Sequence, residues 1–240
     1  MTLLKLEIKR IYRNRRGLIF TIGLPIVFLF IFATRDYGKL DYGVGNVAAN
    51  VAIGLTLYGA IMACTTTGAT VSLERQSGWS RQLRLTPLRP WTYILIKCAA
   101  GLLMSLVTVV LILAFAPAAH AQMPAAVWAE TALIMWAGSV VFLAFGLALG
   151  YLLPADITMQ VIGTAMALLA LLGGLFMPLE PGTLMDTIGS FTPLYGLHKL
   201  ALAPLGAGDF TWTAVVNVIA WGTAFIAISA WAMARDTQRV

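Results

Sequence analysis

The chain has 240 residues, of which 60% are apolar and 11% charged, and its formal net charge is +6. Soluble domains carry roughly 25% charged residues, so this composition excludes a soluble enzyme or carrier. Runs without Asp, Glu, Lys or Arg recur, each long enough to cross a hydrocarbon core of about 30 Å. They are continuous rather than alternating, which favours helices over a β-barrel.

Taken in chain order, residues 2–16 (TLLKLEIKRIYRNRR) read as an amphipathic helix, with Leu4, Ile8 and Ile11 on one face and Lys5, Lys9 and Arg13 on another. Domain 1–16 is therefore expected to lie on the membrane surface, with lipid headgroups as its partners. Residues 17–240 are expected to form an all-α bundle of six spans: 17–34, 47–73, 92–116, 127–153, 157–177 and 211–234. The basic start followed by an apolar run resembles a signal peptide, but further spans follow and a retained first span is expected. Pro25 is expected to kink that span. The second span carries Thr65, Thr66, Thr67 and Thr70, which either line a polar path or bond back to their own helix. Gly146 and Gly150 in the fourth predict close helix packing. Cys64 and Cys98 fall in or beside apolar runs and imply no disulfide.

Lysine and arginine set the expected orientation. With the N-terminus inside, the cytoplasmic side receives Lys5, Lys9, Arg10, Arg13, Arg15, Arg16, Arg75, Arg81, Arg84, Arg89, Lys97, Arg235 and Arg239. The outside receives Arg35, Lys39 and Lys199, so both termini are expected in the cytoplasm. The cations cluster beside spans, which argues against a nucleic-acid partner.

No catalytic constellation is present in the sequence. His120 and His198 have no metal-ligand spacing, and no phosphate-binding Gly-rich loop with its Lys-Ser/Thr occurs. No carboxylate is expected at mid-bilayer, where a proton relay would need one. Energy for active transport would have to arrive from another polypeptide, and no cofactor or metal is expected on this chain.

Glu74–Pro90 (ERQSGWSRQLRLTPLRP) is the longest cytoplasmic connection. Trp79 and Leu83 are four apart and share a helix face, with Arg81 and Arg84 on other faces. Apolar anchors among arginines suit a plug for a groove on an acidic partner. The 176–210 segment, cut by Pro178, Pro181, Pro193 and Pro204, is expected to form short helices dipping in from the outer surface.

Two patterns in combination, Glu74-Arg75-x-x-Gly78-x-x-x-x-Leu83 before Thr86-Pro87, and Gly173-Gly174-x-x-x-Pro178, carry a resemblance to the permease subunits of type-2 ABC exporters. It covers essentially the whole chain. The resemblance implies a coupling helix within 74–90, with Glu74, Arg75, Gly78, Trp79, Arg81, Leu83 and Arg84 docking on a cytoplasmic ABC ATP-binding subunit that holds ATP and Mg. It implies re-entrant outer helices, with Met177, Pro178, Glu180 and Pro193 as candidate extracellular gate residues. It also implies a bacterial inner-membrane location and a second permease copy or related half. The short outer loop before Asn46 favours the small branch that exports drugs, antibiotics or lipids. A route facing the symmetry partner is expected along Thr56, Thr65 and Thr66 of the second span and Gly163, Met166, Ala167, Gly173 and Gly174 of the fifth. The competing readings are a non-transporting membrane assembly or sensor protein and an ion-coupled carrier.

Overall fold

A computed structural model of the protein describes residues 7, 9, 13 and 17, and residues 19–33, 36–78, 90–175, 182–206 and 211–237. Glu7, Lys9, Arg13 and Gly17 lie in helical backbone. A π-helical turn (Ile19–Gly23) leads into α1, Leu24–Ala33. A short antiparallel hairpin follows, β1 (Asp41–Tyr42) with β2 (Gly45–Asn46), pairing Asp41 with Asn46 and Tyr42 with Gly45. Then come α2 (Val47–Gln76), α3 (Pro90–Phe115), α4 (Ala125–Leu152) and α5 (Ala155–Leu172). Two short helices, α6 (Leu184–Ser190) and α7 (Pro193–Leu202), precede α8, Trp212–Thr237.

The all-α polytopic reading is correct. Among the described residues, α2, α3, α4, α5 and α8 are long and apolar enough to cross a membrane. In the first expected span the described helical backbone runs from the π-helical turn Ile19–Gly23 through Leu24–Ala33, with its apolar helix at Thr21–Ala33. Pro25 has no N–H to give to the carbonyl four residues back, and the turn before it takes π geometry.

The core is built around α2. Ile53, Leu57, Ile61 and Cys64 on it are fully buried, whereas α5 and α8 keep wide apolar faces exposed, among them Leu168, Val216, Ile219 and Ile226. Lipid tails are as apolar as leucine, so helix association here rests on close packing rather than on escape from water. The small residues of α2 allow that packing. A Cβ on Gly146 of α4 would fall 2.1 Å from the Thr65 carbonyl oxygen, and one on Gly68 would fall 2.6 Å from that of Leu143. The close approach expected from Gly146 and Gly150 is thus the α2/α4 seam.

At the end of the bundle where α2 begins, the segments are tied by Asn46. Its Oδ1 caps α2 by accepting from the Ala49 amide at 2.9 Å and also accepts from the Gln122 amide at 3.0 Å. Its Nδ2 donates to the His120 carbonyl at 2.7 Å. The Val44 amide donates to the Leu205 carbonyl at 2.8 Å, which brings the exit of α7 onto the same hairpin.

Candidate functional site

At the opposite end of α2, two adjacent residues point in different directions. Thr70 and Glu74 are four apart on α2, and Tyr93 and Lys97 are four apart on α3, so each pair shares a helix face. The faces meet. Lys97 Nζ lies 2.5 Å from Glu74 Oε1 and donates to Thr70 Oγ1 at 2.7 Å. It also pairs with Glu7 Oε1 from the N-terminal region, and the Tyr93 hydroxyl donates to Glu74 Oε2. Only 3% of Glu74 and 1% of Lys97 is exposed. The ammonium also sits 5.7 Å above the Tyr93 ring. An unpaired charge in this setting would cost several kcal/mol, and the two carboxylates with the hydroxyls remove most of that cost.

Arg75 turns the other way. Its Nε and Nη2 contact Asp236 Oδ1 at 3.0 and 2.7 Å, and its Nη1 donates to the carbonyls of Gly150 and Tyr151 at 3.2 and 2.7 Å. Those carbonyls end α4, where the helix has no internal donors left to offer. One guanidinium thus closes α4 and holds the end of α8. A cleft of about 150 Å³ lies alongside, lined by Arg75, Tyr151, Trp231, Arg235 and Asp236 among others. Arg235 stacks on Trp231 at 4.1 Å.

Helix α2 stops two residues later. The Ser77 amide bonds back to Leu73 O and the Gly78 amide to Arg75 O. Gly78 then adopts φ +74, a left-handed value, with open space around its missing Cβ. Glycine adopts that turn without the strain a side chain would bring. Trp79, Arg81, Leu83 and Arg84 lie outside the described residues. So do Met177, Pro178 and Glu180, while Pro193 is buried in the first turn of α7.

The candidate route residues differ in burial and in the bonds they make within the chain. Thr65 and Thr66 donate to the carbonyls of Ile61 and Met62, four residues back. Thr56 is fully buried, and its hydroxyl has no hydrogen-bond partner among the described residues. Met166 is also fully buried, 3.9 Å from the Thr65 hydroxyl. Gly163 and Ala167 are exposed on α5. Gly173 and Gly174 end that helix, Gly174 with φ +73, and His198 of α7 makes a 2.9 Å hydrogen bond with the Gly173 carbonyl. A Cβ on Gly173 would meet Leu194 at 3.1 Å, so this position is filled by packing.

Sequence reasoning missed Glu7, Tyr93, Lys97 and Asp236 as a group. It counted Lys97 as a surface charge, whereas the side chain is buried. The available signal was a single lysine seven residues into an otherwise uncharged run, which has to find a partner. Among the described residues, no three His, Cys, Asp or Glu side chains gather as metal ligands.

The fold and its polar end define a multi-pass helical membrane protein. The chain belongs to the ABC-2 type transporter family, whose model matches residues 1–196. It is similar to the "Putative transport permease YvfS" of Bacillus subtilis (strain 168), at 25% identity over 226 residues that cover 93% of this chain and 92% of the relative. The chain is a permease-type membrane subunit of a transporter, and its family implies association with an ABC ATP-binding subunit.

Proposed function

We propose that the chain is the membrane half of an exporter that moves a hydrophobic or amphipathic compound, such as an antibiotic, drug or lipid, out of the cell. ATP is hydrolysed by a separate subunit docked on the segment after Gly78, and a second permease copy or related half completes the route. The supporting observation is the pair Glu74 and Arg75. Immediately before the docking segment, these residues bind α3, α4 and α8, and Lys97 of α3 carries the link on to Glu7. A push on residues 79–89 therefore reaches those elements together.

Trp79→Ala and Leu83→Asp test this reading in cells co-expressing the ATPase subunit. Both variants are expected to insert normally while export falls and ATP hydrolysis continues unproductively. Wild-type export and ATPase binding in both would sink it. On α5, exposed Ala167 faces the proposed route, and Ala167→Trp is expected to lower export more than it lowers stability. Gly173→Trp cannot serve this purpose, because Leu194 occupies the space.

A further inference from the structure

Within residues 2–16, six side chains are cationic and one, Glu7, is acidic. On a helix meant for anionic headgroups a carboxylate works against binding. Lys9 and Arg13 are exposed, as that role requires, but Glu7 is turned inward onto the buried Lys97. Lys97 in turn holds Glu74, two residues before helix α2 ends at Gln76. Three segments far apart in the chain thus share one ammonium. Withdrawing Glu7 breaks its ion pair with Lys97, and withdrawing Glu74 from Lys97 strands a buried carboxylate, so separation of the segments is opposed from both sides.

We propose that Lys97 is a positioning residue that latches the N-terminal helix to the end of α2 through Glu7 and Glu74. The latch makes the N-terminal helix and the segment leaving α2 at Gly78 shift as one body. Its role in transport rests on the exporter reading above; the latch itself does not. When the docking segment is displaced, the headgroup-bound helix is carried with it, and the membrane surface acts as the anchor against which the displacement works.

Amide hydrogen exchange on the full chain in lipid nanodiscs tests the latch without any ATPase. Glu7→Gln, which leaves the Lys97–Glu74 pair in place and the fold intact, is expected to speed exchange across residues 1–16 about tenfold. Lys97→Met is expected to speed exchange in residues 1–16 and 72–78 together, with α4 unchanged. Lys97→Arg, which keeps the charge, is expected to preserve protection in both segments. Wild-type exchange of residues 1–16 in Glu7→Gln and Lys97→Met would overturn the proposal. Equal losses in Lys97→Arg and Lys97→Met would also overturn it, by showing that side-chain shape rather than charge is required. A separate arm measures export per ATP hydrolysed with the partner subunit: it is expected to fall several-fold in Glu7→Gln and to stay high in Lys97→Arg. Absence of any ATPase association would remove the exporter reading and leave the exchange result standing.

Discussion

At Gly146 a single added methyl group would sit 2.1 Å from the Thr65 carbonyl oxygen, with the backbone of Thr65 offering nothing flexible to move aside. Gly146→Ala is therefore expected to destabilise the fold by about 3 kcal/mol or more, the upper range for overpacking. Gly163→Ala, where nothing lies within 4 Å, is expected to leave stability unchanged. Thermal unfolding of the two variants in detergent checks the contrast. Asp186 supports a pH prediction. The Tyr195 hydroxyl at 2.8 Å, and then the Gly182 amide at 3.2 Å, favour its ionised form and hold its carboxyl below the ordinary 3.8. A lowered carboxyl contributes stability above its unfolded value and loses it as pH falls through the folded one. Amide protection across Leu184–Ser190 is thus expected to be flat from neutral pH downward and to drop below about pH 4. In Asp186→Asn the step should be absent and protection lower throughout.

Near its start, helix α8 is held to the end of α6, where Asn217 Nδ2 donates to the Ser190 carbonyl at 3.0 Å and Trp221 Nε1 to the Phe191 carbonyl at 2.9 Å. In the middle, Phe225 packs on Phe145 at 4.9 Å and the Ser229 hydroxyl donates to the Ala144 carbonyl at 2.8 Å. At the end only the Arg75–Asp236 pair holds it among the described ion pairs, with side chains 28% and 21% exposed. Partial exposure weakens the attraction, so Asp236→Asn is expected to cost about 1 kcal/mol, and an Arg75/Asp236 double-mutant cycle should return a coupling of similar size. Much at this scale was legible in the sequence. Long, nearly charge-free runs placed α2 to α5 and α8 to within a few residues, although the fifth was drawn through Gly173-Gly174 to 177 while α5 ends at Leu172, and Pro193 opened α7. Each of these is a local signal, written into consecutive residues. The Glu7–Lys97–Glu74 cluster was not legible, because Glu7 and Lys97 are 90 positions apart and nothing near either residue names the other. The Asn46 clamp escaped for the same reason, since its partners His120 and Gln122 lie more than 70 positions away.

Across the whole molecule the described ion pairs gather at one end of the bundle and the hairpin and short helices at the other. With the cationic end inside, a cysteine at Thr183 should react with an impermeant thiol reagent from outside, and one at Gln76 only after permeabilisation. Cys64 and Cys98 are replaced for the measurement. Reversed labelling would move the docking segment to the wrong side and end the exporter reading. The α2/α4 seam carries one more consequence. Because backbone lies against backbone at Gly68 and Gly146, the seam has no side-chain cushion along which one helix could slide past its neighbour. The seam therefore works like a key in a slot, fixing the relative height of the two helices and leaving tilt of the joined pair as the freedom that remains. A covalent bridge placed across it should cost the working protein nothing.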